Sequence, residues 1–365
     1  MIKRLGAILG VLVAFGAVAF VAIAIWPESA GNGETQPTGS NRALSAAGGP
    51  GANGVSGDSS SRSKGATGRL TPDLARAERP DDVRFALEPV TGPPPVRYRF
   101  KHPPVAGILF DVKTGEVLWQ HKPDLQRPIA SLTKMMTALM VARTDPPDGH
   151  VMVSRNAAHT QGSATGLLPR GQKVPLDALL KALIMISAND AAVALAEHDG
   201  GSVPHFIKEM NAQARSMGLT CTHFTTPNGL RDRGNHSCPR DLAALARADL
   251  ANRRIAQIAH TRYAKPRFPI KGKHLYLTNN HYFLQHGLSG VPGAQVTGLK
   301  TGFTDAAGSC YVTTARLGGH HLGLVLLHSP SPLTQVPALL RAGFQEVGAI
   351  APTAPAPPAE PPATG

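Results

Sequence analysis

Strand-like patterns stand at both ends of one long stretch of this 365-residue chain, and helix-like patterns fill the interval between them. Ala106-Gly107-Ile108-Leu109-Phe110 and Val117-Leu118-Trp119 read as two strands, joined by a turn at Lys113-Thr114-Gly115. Far along the chain, a short strand ends at Lys300-Thr301-Gly302. Further strands follow near Tyr311 to Ala315 and Leu322 to Leu327, with His320-His321 reading as the turn between them. A final helix is predicted over Val336 to Phe344. In the middle, Leu132, Met135, Met136, Leu139 and Met140 recur at helical spacing, which predicts a buried helix beginning near Ser131. Leu179, Leu180, Leu183 and Ile184 give a second helix after Pro175. A third runs from Asp190 to Glu197, and a fourth follows Gly201, where Ser202 and Pro204 are start signals. A short strand near Thr222, a loop at Pro227-Asn228-Gly229 and a helix after Pro239 complete the interval. Strands divided between the two ends predict an α+β fold, an antiparallel sheet flanked by helices with an all-helical insertion, not a doubly wound parallel one.

The flanks are of a different kind. Residues 5–26 form an uncharged apolar run preceded by Lys3 and Arg4, long enough to cross a bilayer with its N-terminus in the cytoplasm. A cleaved export signal is the alternative, although such signals have shorter apolar cores and no clean small-residue site follows Trp26. Either way, the chain beyond Trp26 is delivered outside the membrane. From Pro27 to about Pro95 the chain is Gly, Ser, Pro and Ala with scattered charge, too poor in large apolar residues to offset the entropy of ordering. The expected organisation is an anchor or signal over 1–30, a disordered linker over 31–95, one folded domain over 96–350 and a disordered Pro/Ala tail over 351–365.

The formal net charge of +13 admits a nucleic-acid partner, but Lys and Arg are scattered and aromatic residues are few. The excess suits an anionic envelope or a merely solvated surface better, and no nucleic acid is expected. Cys221, Cys238 and Cys310 make an odd count in a compartment that permits disulfides. Cys221 and Cys238 flank the Pro/Gly/Asn-rich loop, where a bridge and two free thiols are both open; Cys310, in an apolar strand pattern, reads as a buried free thiol.

Three short motifs lie on this frame: Ser131-Leu132-Thr133-Lys134, Ser187-Ala188-Asn189 and Lys300-Thr301-Gly302. Together they supply a nucleophile, candidate bases, an amide and a cation for a carboxylate. Lys134 follows Ser131 by three residues, so both side chains share a helix face, and the helix N-terminus favours negative charge beside Ser131. Alone, each motif has a plainer reading: Ser131 as a cap with Lys134 reaching to solvent, Ser187-Ala188-Asn189 as a helix junction. Lys113-Thr114-Gly115 spells the third motif again on a hairpin tip, and there it is ordinary turn chemistry.

Taken together, and with the flanking text RPIASLTKMMTALM, SANDAAVALAEH, THFTTPNGL and GLKTGFTDAAGSC, the chain resembles the low-molecular-mass penicillin-binding proteins, the serine-type D-alanyl-D-alanine carboxypeptidases of peptidase family S11. The resemblance spans nearly all of residues 100–345 and implies the fold shared by β-lactamases and transpeptidases. It implies Ser131 as the acylated nucleophile, Lys134 as its proton acceptor when neutral, and Ser187 as proton relay to the leaving amine. Asn189 would hold either the substrate amide or Lys134. Lys300 and Thr301 would receive the substrate carboxylate with Thr304 beside them, the N–H groups of Ser131 and Phe303 would hold the oxyanion, and Gly302 would let the strand approach the substrate. An unperturbed lysine is charged at pH 7, so Lys134 must be shifted by about three units, roughly 4 kcal/mol, which burial and Lys300 would both favour.

The substrate implied is the D-Ala-D-Ala end of a peptidoglycan stem peptide, with β-lactams as covalent inhibitors and no cofactor or metal. The histidines fit no zinc spacing such as His-Glu-x-x-His. Three other readings stay open: an endopeptidase on peptidoglycan cross-links, a β-lactamase, and a non-catalytic wall-binding protein. A class A β-lactamase deacylates through a glutamate, and this chain has none between Glu209 and Glu346. Many relatives add a C-terminal β domain and an amphipathic membrane helix. Neither is expected here, which leaves anchoring to the N-terminal segment. Arg240 and Asp241, at a helix start, are expected to be structural.

Overall fold

A computed structural model describes residues 84–230 and 233–351. The expected anchor at 5–26, most of the expected linker and all but the first residue of the tail lie outside the described residues. Among those described, no helix is long and apolar enough to cross a membrane.

In chain order, β1 (Ala106–Asp111) and β2 (Val117–His121) are followed by a 3-10 turn at Ala130–Thr133 and α1 (Lys134–Thr144). Next come β3 (His150–Met152), α2 (Arg155–Ala158), β4 (Lys173–Pro175), α3 (Leu176–Met185), α4 (Asn189–Gly200) and α5 (Val203–Ser216). Then follow α6 (Pro239–Ala251), α7 (Arg253–His260), β5 (Tyr263–Ala264), β6 (Leu277–Thr278) and α8 (Tyr282–His286). The last elements are β7 (Gln295–Thr304), β8 (Gly308–Leu317), β9 (His320–Leu327) and α9 (Pro332–Glu346). The main sheet has the order β2-β1-β9-β8-β7, every pair antiparallel. The first and last strands of the chain therefore meet at β1–β9, as the placement of strands at both ends requires.

Both sheet faces are covered, and the period of two along each strand decides what each side chain meets. Ile108, Phe110, Val325 and Leu327 join the core shared with Met136, Leu139, Leu183 and Leu242 of the helices. Leu109, Leu324 and Leu326 point the other way, against Val336, Leu340 and Phe344 of α9. Gly323 lies opposite Phe110, and a Cβ there would stand 2.4 Å from the Phe110 ring, so the glycine makes room for the aromatic.

Several boundaries differ from the sequence reading. Lys300-Thr301-Gly302 does not end a short strand. It lies inside the ten-residue β7, which pairs with β8 along its length apart from a register shift between Val296 and Gly298. Pairing with a buried apolar neighbour overrides the low strand preference of Gly, Lys and Gln. His320-His321 is not a turn: both residues belong to β9, and the reversal is made by Gly318 and Gly319, each at positive φ. The strand near Thr222 reduces to an isolated bridge, His223 to His236. The folded body also begins before Val96, because Phe85 is buried in the core. The Arg247 guanidinium donates to the carbonyls of Phe85, Ala86, Val112 and Lys113, and so ties the incoming segment to the β1–β2 turn. That turn is ordinary, as expected: Asp111 Oδ1 accepts from the Lys113 and Thr114 amides at 2.8 Å each, and Gly115 takes φ 87°.

Cys221 and Cys238 form a disulfide across 17 residues, while Cys310 is buried and takes part in no disulfide. Asp241 supports the bridge, accepting from the Cys221 amide and the Thr222 hydroxyl, while Arg240 pairs with Asp124. Replacing both bridged cysteines by serine is expected to cost about 3 kcal/mol, the loop-closure value for a loop of this size, read as a lower midpoint in denaturant unfolding.

Candidate active site

The site forms where the turn before α1, the α3–α4 junction, the loop at 226–230 and β7 converge. Ala130 takes φ 48° at the entry to the 3-10 turn. Ser131 then stands one turn before Lys134, the first residue of α1. The plainer readings of this pair fail on geometry. No side chain caps either the turn or α1, so Ser131 is not a capping serine. Lys134 is 0% exposed and reaches no solvent.

Lys134 Nζ has three neighbours: Ser131 Oγ at 2.9 Å, Asn189 Oδ1 at 2.7 Å and the Asn228 carbonyl at 2.7 Å. Two of these can only accept. A neutral amine satisfies both with its two hydrogens and turns its lone pair to the Ser131 hydroxyl, which then donates. Burial pushes the Lys134 amine well below the ordinary lysine value, and the nearby Lys300 cation pushes the same way, while Asp190 opposes them.

Asn189 is spoken for at both ends. Its amide nitrogen donates to the Gln161 carbonyl at 3.0 Å and its oxygen accepts from Lys134. Of its two expected partners, the structure gives it the lysine, not an open substrate amide. Asp190, next in the chain, accepts from the Thr165 amide, the Thr165 hydroxyl and the Gly166 amide, which fastens the 161–166 loop over Asn189. Ser187 is buried at φ 62°, in the left-handed region, and its hydroxyl has no partner among the described residues. A serine held there is a strained position of the kind that clusters at functional sites.

On the opposite wall, β7 carries Lys300, which is 3% exposed and donates to the Thr301 carbonyl at 2.8 Å. Burial pushes its amine down to about 7. Gly302 is the point of closest approach: a Cβ there would stand 2.8 Å from the Ser131 nitrogen and 3.1 Å from the Ile129 carbonyl. The backbone that Gly302 admits in this structure is the Ser131 turn, a contact the sequence reading did not name. Phe303 is exposed at 68%. The Thr304 hydroxyl accepts from the Ala307 amide at 3.1 Å, an engagement in the β7–β8 turn.

Sequence reasoning assigned no role to the 226–230 loop, yet it closes the cradle. Besides the Asn228 carbonyl on Lys134, the Pro227 carbonyl accepts from Thr137 at 2.7 Å, and Asn235 donates to the Thr133 hydroxyl at 2.8 Å. Pro227-Asn228-Gly229 signalled a turn, but nothing in the letters says where a backbone carbonyl will point.

Comparison with known proteins identifies the family of the chain. The family profile described as D-alanyl-D-alanine carboxypeptidase, Peptidase S11, matches residues 101–331. The D-alanyl-D-alanine carboxypeptidase DacF of Bacillus subtilis is 30% identical over 236 residues, which cover 63% of this chain and 59% of that protein. The D-alanyl-D-alanine endopeptidase of Escherichia coli is 32% identical over 223 residues, covering 61% of this chain and 70% of that one. The crystal structure of a D-alanyl-D-alanine carboxypeptidase from Mycobacterium tuberculosis superposes with a TM-score of 0.62 at 29% identity, over 70% of this chain and 94% of that one. This chain thus spans about six tenths of the length of DacF. The profile match runs from before β1 to the residue before α9 and includes the Ser131 turn, the Asn189 junction and β7, so the chain belongs to the D-alanyl-D-alanine carboxypeptidase family, S11.

Proposed function

We propose that the protein is a serine D-Ala-D-Ala carboxypeptidase that removes the terminal D-alanine from peptidoglycan stem pentapeptides through an ester on Ser131. The observation that carries this is the Lys134 amine, fully buried, donating to two carbonyls and facing the Ser131 hydroxyl. Ser131 Oγ attacks the carbonyl carbon of the penultimate D-alanine while its proton passes to Lys134 Nζ. The oxyanion is held by the Ser131 and Phe303 N–H groups. The C–N bond breaks, the terminal D-alanine leaves after taking the proton from Lys134 through Ser187, and the acyl group remains on Ser131. Water then attacks the ester and passes a proton to the again neutral Lys134, which returns it to Ser131 Oγ as the ester bond breaks and the shortened peptide leaves. The unpartnered Ser187 hydroxyl suits a relay. Lys300 and Thr301 receive the terminal carboxylate, with Gly302 and Thr304 shaping that end of β7.

Stem peptides are thus the substrate and β-lactams the covalent inhibitors. With no glutamate between Glu209 and Glu346 to position a deacylating water, the β-lactam ester is expected to be long-lived. An extracytoplasmic site of action follows from the substrate, and the apolar run at 5–26 would hold the domain at the membrane. The endopeptidase relative favours a second reading, cleavage of cross-links by the same machinery. Release of D-alanine from a stem pentapeptide, measured beside cleavage of a cross-linked dimer, decides between them. Turnover of the pentapeptide alone supports the carboxypeptidase, cleavage of the dimer alone supports the endopeptidase, and loss of neither bond overturns both.

Lys300 sets an expected pH dependence. In the free enzyme it holds its proton below about pH 7 and loses it above, so affinity for a carboxylate falls on the alkaline side. The kcat/KM for a D-Ala-D-Ala peptide should decline above about pH 7, and Lys300→Met should remove that limb while lowering the plateau. The sign for stability is opposite. The unfolded lysine keeps its proton to a higher pH than the folded one, so Lys300 destabilises the fold most below pH 7. That cost fades as pH rises, and Lys300→Met should therefore raise the unfolding midpoint at neutral pH.

A further inference from the structure

Between Asp249 and Asp305 the chain carries eight Lys or Arg residues and no carboxylate side chain. Part of this stretch forms a hairpin. β5 and β6 pair Tyr263 with Thr278 and Ala264 with Leu277, and Arg267 bridges to His274 nearer the tip. Phe268, Leu275 and Leu277 are each 3% exposed and anchor the hairpin in the main core. Its outward residues are Tyr263 and Tyr276, 68% and 71% exposed, with Lys265 Nζ 5.0 Å from the Tyr276 ring centre. Beside the tip, a groove of about 460 Å³ separates the hairpin from the β3–β4 ribbon. The ribbon contributes His150 and Lys173 to one wall, and the hairpin contributes Arg267, Lys273 and His274 to the other. No acidic side chain lines the groove, and Lys173, Arg267 and Lys273 form no ion pair among the described residues. None of the residues assigned to the active site lines it.

We infer that this groove binds a linear polyanion, a polymer of phosphodiester-linked polyol or sugar units, as a docking site separate from the active site. Cations on two facing walls of a concavity meet charges spaced along both sides of a chain. Lys173, Arg267 and Lys273 are all exposed, so a flexible charged chain can lie among them along the groove. The exposed rings of Tyr263 and Tyr276, on the same hairpin but outside the groove lining, offer flat apolar faces to the carbon skeleton of a polymer that extends beyond the groove, with Lys265 beside one of them. A cluster of bare cations unopposed over such a stretch also favours rapid, salt-dependent capture.

The test uses the full chain in detergent with a fluorescent poly(glycerol phosphate) as probe and neutral dextran as reference. The groove variant is Lys173→Gln with Arg267→Gln and Lys273→Gln. A control variant, Arg155→Gln with Arg170→Gln and Lys208→Gln, removes the same charge from exposed positions elsewhere. The expected result is binding of the charged polymer alone and release when salt rises from about 0.1 M to about 1 M, which shortens the screening length from ~10 Å to ~3 Å. The groove variant should lose at least tenfold in affinity, the control less than twofold, with the unfolding midpoint of each variant retained. Equal weakening by both variants would reduce the effect to net charge and overturn the site. So would absence of polymer binding, or groove-dependent binding to phosphatidylglycerol vesicles without binding of the polymer.

Discussion

Lys134→Arg should slow acylation of Ser131 by about 10²–10⁴-fold, although it keeps the positive charge. Arginine stays protonated at any pH the fold survives, so it has no lone pair for the Ser131 proton. If Lys134 served only to attract an anionic substrate or to steady the turn by its charge, arginine would preserve much of the rate. The local geometry says otherwise. Two fixed carbonyls, Asn189 Oδ1 and Asn228 O, lie 2.7 Å from Nζ and consume the hydrogens of a neutral amine, and burial with Lys300 nearby disfavours the charged form. The rate of covalent labelling by a fluorescent penicillin reads this directly. Lys134→Met, which adds no charge and no bulk beyond the lysine, separates a folding failure from a chemical one: it should keep the unfolding transition and label as slowly as the arginine variant. Labelling by either variant near the unaltered rate would remove Lys134 from the chemistry.

The second large effect is expected at Gly229, a position with no chemistry of its own. Gly229 sits at φ 73°, and a Cβ there would lie 1.9 Å from the Ala130 carbonyl oxygen and 2.7 Å from the Thr133 hydroxyl. The obstructing atoms are backbone of the nucleophile turn, so relief requires the 226–230 loop or the turn itself to move. Gly229→Ala should cost about 2–5 kcal/mol, from left-handed strain and overpacking together, and should depress acylation by withdrawing the Asn228 carbonyl from Lys134. Gly234→Ala is the fitting comparison. It has a similar φ of 78°, but its Cβ would meet only the Thr225 methyl at 3.2 Å, a side chain that can turn. About 1–2 kcal/mol and normal labelling are expected there. Equal behaviour of the two alanine variants would show that the contact with the turn is unimportant.

The fold was most legible where burial has a period. Met135, Met136, Leu139 and Met140 marked α1, and the strands at both ends implied the β1–β9 closure. It was least legible where polar or flexible residues are held by a neighbour. β7 reads poorly because Gly298, Lys300 and Gly302 lack strand character, yet β8 pairs with them throughout. Phe85 sits in a stretch of disordered composition, yet it packs into the main core and Arg247, 162 residues away, donates to its carbonyl. The site divides the same way. Ser131, Lys134, Asn189 and Lys300 stand in motifs whose side chains carry the proposed chemistry. Asn228 acts through its main chain, which every residue possesses, and Gly302 through the side chain it lacks. Ser187 was legible through its motif, but its left-handed φ of 62° was not, since a backbone angle leaves no mark in a serine.

The whole mechanism rests on an ester at Ser131, and mass spectrometry of the full chain after incubation with benzylpenicillin detects that ester itself. Opening the lactam leaves the former leaving nitrogen attached, so the adduct should carry the whole mass of the antibiotic. Proteolysis should place that mass on the peptide containing Ser131, and Ser131→Ala should carry none. An unmodified chain, or an adduct that persists in Ser131→Ala, would remove Ser131 as the nucleophile.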